Sequence, residues 1–447
     1  MIDMYNAIVI GGRCAGAAVG THLARRGLRV LVVDRSRFPS DVLSTHFVWP
    51  HGASYLNRLG VLDQVRAVTP AHTEVTVVNN GISLSGSVPE ELLRNQFRLL
   101  HDDDTGITTE YFSVRRHVLD KILVDNAVRA GVEFREGYTV KELLRDEDGT
   151  VIGIKGRDGT VEHAQVVIGA DGRNSFVARA LGVEKFDERP RCTYAYWSYF
   201  SGIPDADAQI HRRGRLGMAM ASTNHGQTMV LTWGPSEWAA EFRADVEGNF
   251  HRALGLISEE AADTVAGARR EERFYGTLDQ AAYLRQLHGP GWVLVGDAES
   301  FKDQCTALGI THALRDAELA ADAVGRWLGG ETDRDTAMAG YAAKRRSQTA
   351  AAYYDYVCTL AEMKPLRHDE LQLFAILRGN QAETDRFIAT HVDVAPVSEF
   401  FDPSNVFLLN DTAKESSLEH DAFADFEATY REYQRNPFLR VAAEATR

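Results

Sequence analysis

Residues 7–16 read AIVIGGRCAG, an apolar run that ends in glycine and passes at once into a glycine-rich turn. The run reads as a buried strand. The next residues, 17–26 (AAVGTHLARR), read as a helix with a small-residue face, closed by Gly27. LRVLVVD then forms a second buried strand that ends in Asp34, 18 residues after Gly16. A strand, a glycine turn, a helix and an acid-terminated strand so close together begin a dinucleotide-binding α/β unit.

Each turn residue has a task. Gly11 makes the tight turn and Gly16 lets the helix approach the strand, while Arg13, Cys14 and Ala15 carry the chain onto the helix. The free N–H groups there favour a pyrophosphate. In the spacing G-x-G-x-x-G counted from Gly11, Arg13 occupies the middle glycine position. Its side chain either points away or covers the phosphates with its guanidinium. Asp34, followed by Arg35, suits an unphosphorylated ribose, which excludes NADP here and leaves NAD or FAD.

Two later segments decide between them. Residues 166–179 (VVIGADGRNSFVAR) place Asp171 and Gly172 at the end of a strand. Residues 291–318 place Gly296 and Asp297 at the end of another, then an irregular loop, then a helix from Gly309 and Ile310. With these three motifs in order, the chain resembles the class A flavoprotein monooxygenases of the p-hydroxybenzoate hydroxylase type. That superfamily also holds flavin halogenases and geranylgeranyl reductases.

The resemblance implies non-covalent FAD, with NAD(P)H as a transient electron donor. The first motif and Asp34 would hold the ADP half. Asp171 and Gly172 would hold cofactor and meet the donor, and Asp297 would bond the ribityl chain. FSVRRHVLDKIL (112–123) resembles the family's R-x-x-L helix start and would place Arg116 near the flavin. A helix starting near Gly309 could aim its positive end at the flavin edge that becomes anionic on reduction.

Two stretches depart from the family pattern. The family's third motif, GDAAHxxPPxGGQGxN, laid on this chain puts its prolines on Asp303 and Gln304 and its Gly-Gln-Gly on Ala307, Leu308 and Gly309. Lys302, Asp303, Gln304 and Cys305 should therefore lie close to the reacting edge, with Asp303 and Gln304 as substrate contacts and Gln304 also as a catalytic candidate. Residues 41–52 (DVLSTHFVWPHG) replace a loop that carries an active-site arginine in many relatives. Thr45 is a substrate-contact candidate there. His46 is the general acid/base candidate, because imidazole titrates near neutrality.

The expected fold class is α/β: a Rossmann-like FAD-binding domain (1–70, 113–185, 286–330), an inserted antiparallel β-sheet substrate domain (71–112, 186–285) and a C-terminal helical region (331–447). NNG at 79–81 is a hairpin signal. YAYWSYF offers Tyr196 and Trp197 as lining for an apolar or aromatic substrate. A polar helix is expected at the C-terminal end.

A formal charge of −14 disfavours nucleic acid and anionic membrane as partners. No apolar run is long enough to span a bilayer. The first strand starts so early that no cleavable leader is expected. The four scattered cysteines show no metal-ligand spacing, so no metal is expected, and they suit a cytoplasmic location. A monomer or homodimer acting on a small molecule is expected.

The resemblance implies an NAD(P)H- and O2-dependent monooxygenase, hydroxylating or epoxidising through a flavin C4a-hydroperoxide, in secondary metabolism or aromatic catabolism. The alternatives are a non-redox, FAD-containing cyclase of a polyketide pathway, a flavin halogenase, or a double-bond reductase. "RRHVLDKIL" fits the R-x-x-x-D pattern of the reductases.

Overall fold

A computed structural model describes residues 4–406, 409 and 436–438. The chain divides into two compact units, one of residues 1–71, 90–189 and 281–354, the other of 72–89, 190–280 and 355–447.

The first unit is built on a parallel sheet. Strand Met4–Ile10 lies at its centre, between Val30–Asp34 and Val161–Gly169; Glu133–Glu136 and Trp292–Leu294 flank these. Both faces are covered, which is why the central strands read as unbroken apolar runs. Ala7, Val9, Val30 and Val32 face helices Cys14–Arg25, Arg116–Arg129 and Gly309–Leu328. Ile8, Ile10, Leu31 and Val33 face the other way, toward Leu143, Ile154 and Val177. Register aligns the strand ends: Ile10 pairs with Val33 and Gly169, and Gly169 with Leu294. The turns that follow therefore emerge along one edge, where open α/β sheets bind ligands.

The second unit contains an eight-stranded sheet, antiparallel except where Ala208–Arg213 runs parallel to Glu74–Asn79. Strands Glu74–Asn79 and Ile82–Ser87 form the expected hairpin. Asn80 and Gly81 both have positive φ, 46° and 86°, as a two-residue turn of the favoured twist demands.

Several boundaries differ from the sequence reading. Residues 90–101, placed with the substrate strands, form a helix in the first unit. Leu93 and Phe97 are its buried residues, four apart, which is helical spacing. Residues 331–354, placed with the C-terminal region, also belong to the first unit. The periodic stretch there breaks into helices Arg334–Arg345 and Gln348–Ala361, because the Ser347 hydroxyl accepts from Ala350 N–H and starts the second. The expected final polar helix lies outside the described residues. Among those described, no helix is long and apolar enough to cross a membrane.

Candidate cofactor and active site

The glycine turn is closely confined. Gly11 has φ +99°, and a Cβ there would lie 2.4 Å from the Ala170 carbonyl oxygen. A Cβ on Gly16 would lie 1.7 Å from the Gly11 oxygen. Gly12, not position 13, is the crowded middle residue: its Cβ would meet the Phe134 ring at 2.4 Å. That is why Arg13 is tolerated. Arg13 is the N-cap of helix Cys14–Arg25 and makes no side-chain cap bond. Cys14, Ala15 and Gly16 are buried.

Asp34 ends its strand buried, and its two carboxylate oxygens accept from Gly12 N–H and Ser36 N–H, both at 2.7 Å. It thus braces the turn besides facing the strand-end crevice. Arg35 is exposed. Asp34→Ala loses two charge-assisted hydrogen bonds worth about 1.5–3 kcal/mol each. FAD affinity, measured by equilibrium titration of the apoprotein, should fall by roughly ten- to a hundredfold or more. Unchanged affinity would show that Asp34 plays no part in holding the cofactor.

Arg13 is tied down beside the turn. Its guanidinium donates to Asp120 at 2.5 Å, to Ser40 O at 3.1 Å and to Ser40 Oγ at 3.0 Å. Arg116, at the start of its helix, reaches the same carboxylate at 3.1 and 3.2 Å, and Cys14 Sγ donates to it at 3.3 Å. Asp120 is fully buried and is a site residue the sequence reading left unassigned, although the R-x-x-x-D spacing from Arg116 signals it. Asp120 holds Arg116 charged despite burial.

The other two acids sit at the same sheet edge. Asp171 Oδ2 accepts from Phe176 N–H at 2.6 Å and Val177 N–H at 3.1 Å, whereas Oδ1 is buried without a hydrogen-bond partner. Burial raises the Asp171 carboxyl above its ordinary value. Gly172 follows at φ +74°. Burial pushes Asp297 up to about 6, against the pull of Lys302, Arg116 and Arg173. Gly296, at φ +62°, brings this turn close to Ala15 and Ala313.

The third-motif loop borders a small cleft that opens to solvent. Gly296, Asp297, Lys302, Asp303, Gln304 and Gly309 are among the residues lining it. Asp303 is buried and caps the short turn Gln304–Thr306 by accepting from Cys305 N–H at 3.1 Å. Gln304 is exposed and lines the cleft, and Ile310 is buried. Ala307 has φ +53°, so the backbone keeps a glycine-like bend where the family pattern has glycine. The Trp49 indole pins this loop by donating to Thr306 O at 3.0 Å. Trp49 is itself packed with Phe47 and Tyr111. Helix Gly309–Leu328 begins at the cleft with no side-chain cap.

One expectation is corrected, and the remaining candidates fall as follows. His46 is buried with φ +47°, and its Nδ1 shares a 3.1 Å hydrogen bond with Ser113 Oγ. Burial, reinforced by Arg115, pushes its imidazole down to about 3, so it stays neutral where a near-neutral acid/base was expected. Tyr196 and Trp197 point to opposite faces of the sheet in the second unit. Tyr196 stacks on Phe242 at 5.0 Å in the helix-covered core, while Trp197 stacks on Tyr275 at 6.0 Å. Strict alternation prevents both from lining one wall. Thr45 is half-buried in the loop before His46.

The site fits FAD. It offers uncapped N-termini on two long helices, a cradle that tolerates no Cβ, and an orphaned buried carboxylate oxygen on Asp171. Gly11, Gly16 and Asp34 would hold its ADP half, and Asp171, Asp297 and Gly309 its flavin half.

Comparison with known proteins agrees. A 1H-pyrrole-2-carbonyl-[peptidyl-carrier protein] brominase of Pseudoalteromonas luteoviolacea is 23% identical over 73% of this chain and 78% of its own. A tryptophan 2-halogenase of Chondromyces crocatus is 25% identical over 86% of this chain and 74% of its own. The crystal structure of PqsL, described as a probable FAD-dependent monooxygenase from Pseudomonas aeruginosa, superposes with a TM-score of 0.66 at 20% identity, covering 86% of this chain and 99% of that one. The family described as an FAD binding domain matches residues 4–355, and the chain belongs to it as an FAD-dependent oxidoreductase of the class A flavoprotein monooxygenase superfamily.

Proposed function

We propose that the protein is a monooxygenase that hydroxylates or epoxidises an apolar or aromatic small molecule at the expense of NAD(P)H and O2. The observation that carries this reading is that Asp171, Asp297 and the cleft of the third-motif loop lie at one sheet edge, beside the dinucleotide turn. Bound FAD supplies the electron storage and oxygen activation. Asp297, whose carboxyl is pushed up to about 6 by burial, would hold the ribityl chain. Arg116, which shares the Asp120 carboxylate with Arg13, would support the cofactor. Phe47, Trp49 and Tyr111 are buried behind the loop and help to exclude water. The Gln304 amide orients substrate in the cleft, with Asp303 fixing the turn that carries it. Gln304→Ala should lower turnover and leave FAD content intact.

Halogenation is a second reading, favoured by the halogenase relatives and by Lys302, whose side chain joins the cleft lining. Product mass separates the two: one added oxygen for the first, one halogen in place of hydrogen for the second. Full product yield without O2 or NAD(P)H would overturn both and favour the non-redox cyclase.

A further inference from the structure

Resting on the FAD reading, we propose that Tyr283 is a positioning residue whose hydroxyl locks the turn after Asp171 to the turn at Asp297, and so fixes the spacing of the two acids assigned to the flavin half. Tyr283 lies on strand Tyr283–Arg285, which runs antiparallel to both Lys185–Phe186 and Ser300–Phe301. Its side chain is buried. Its hydroxyl donates to Arg173 O at 2.9 Å and to Asp297 O at 2.8 Å. Arg173 directly follows Asp171 and Gly172, and the second carbonyl is that of Asp297 itself. One proton thus serves two turns that lie more than a hundred residues apart in sequence, 110 residues from Tyr283 in one case and 14 in the other. Burial raises the phenol above its ordinary value, so it keeps its proton and remains a donor.

The ring is held independently of the hydroxyl. It stacks on Phe301 at 6.1 Å, and Arg285 and Lys185 stand over it at 4.4 and 4.3 Å. Arg173 in turn lies over the Phe301 ring at 5.3 Å, a second tie between the same two turns. Removing the oxygen alone therefore leaves the ring seated and takes the shared donor from both carbonyls. Either turn is then free to shift against the other, and Asp171 and Asp297 no longer meet the cofactor at one fixed separation.

The test compares wild type, Tyr283→Phe and Tyr283→Leu. Hydrogen exchange of the apoprotein reads the two turns. Equilibrium titration with FAD and visible circular dichroism of the bound flavin read the site. In Tyr283→Phe, amides of residues 171–177 and 296–301 should both exchange faster, on the order of tenfold, while strand Tyr283–Arg285 keeps its wild-type rate. FAD affinity should fall about tenfold, the size of one lost hydrogen bond, and the flavin dichroism should change. The apoprotein should still melt within about 3 °C of wild type. Tyr283→Leu, which also loses the ring, should melt lower. Wild-type exchange in either turn of Tyr283→Phe would overturn the proposal, as would unchanged FAD affinity and dichroism. A large drop in its melting temperature with unaltered dichroism would also overturn it, by showing a merely structural hydroxyl. Wild-type protein that takes up no FAD, while exchange still couples the two turns, would count against the cofactor reading and leave the lock standing.

Discussion

Gly16→Ala should give a protein that keeps less than a tenth of its FAD. The new Cβ would lie 1.7 Å from the Gly11 carbonyl oxygen and 2.9 Å from its carbon, and both are backbone atoms that cannot rotate aside. Helix Cys14–Arg25 must move off strand Met4–Ile10, and with it go the amides that would bind the pyrophosphate. Overpacking typically costs about 1–3 kcal/mol even where side chains can yield. A backbone clash belongs at the upper end or beyond, which corresponds to roughly a hundredfold in affinity. The ratio of flavin to protein absorbance after purification reads the result. Full occupancy in this variant would mean that the helix does not seat on the turn as described.

Asp120→Ala should destabilise the protein as well as weaken FAD binding. Asp120 is the shared partner of Arg13 and Arg116, and its carboxylate is fully buried. Removing one side of a buried ion pair strands the other charge, at a cost of about 3–5 kcal/mol. The melting temperature should drop on the order of 5–10 °C. Asp120→Asn keeps the shape and part of the hydrogen bonding, so its loss should be smaller. A melting temperature for Asp120→Ala within a degree of wild type would contradict the central place given to this carboxylate.

The cofactor half of the site is written in contiguous sequence. Gly11, Gly16 and Asp34 obey backbone constraints that a single strand–turn–helix–strand unit imposes, so their spacing discloses them. The acids at Asp171 and Asp297 are visible for the same reason: each ends an apolar strand. Asp120 is different. It lies 107 residues from Arg13 in sequence, and only the fold brings the two together. His46 shows the opposite failure. Its residue type promised acid/base chemistry, but burial beside Arg115 decides its protonation, and burial of a single loop residue has no sequence period. Tyr196 and Trp197 fall between these cases, because alternation announces that they diverge but not which face borders a ligand. Helix Glu90–His101 follows directly on the hairpin, and only the four-residue spacing of Leu93 and Phe97 marks it as a helix.

The most direct test of the monooxygenase reading is the product mass formed under isotopically heavy O2 with NAD(P)H, across a panel of apolar and aromatic small molecules. The account predicts a product that gains one heavy oxygen atom from O2, with NAD(P)H consumed in step. A product formed in full without O2 or reductant, and equal in mass to its substrate, would contradict it.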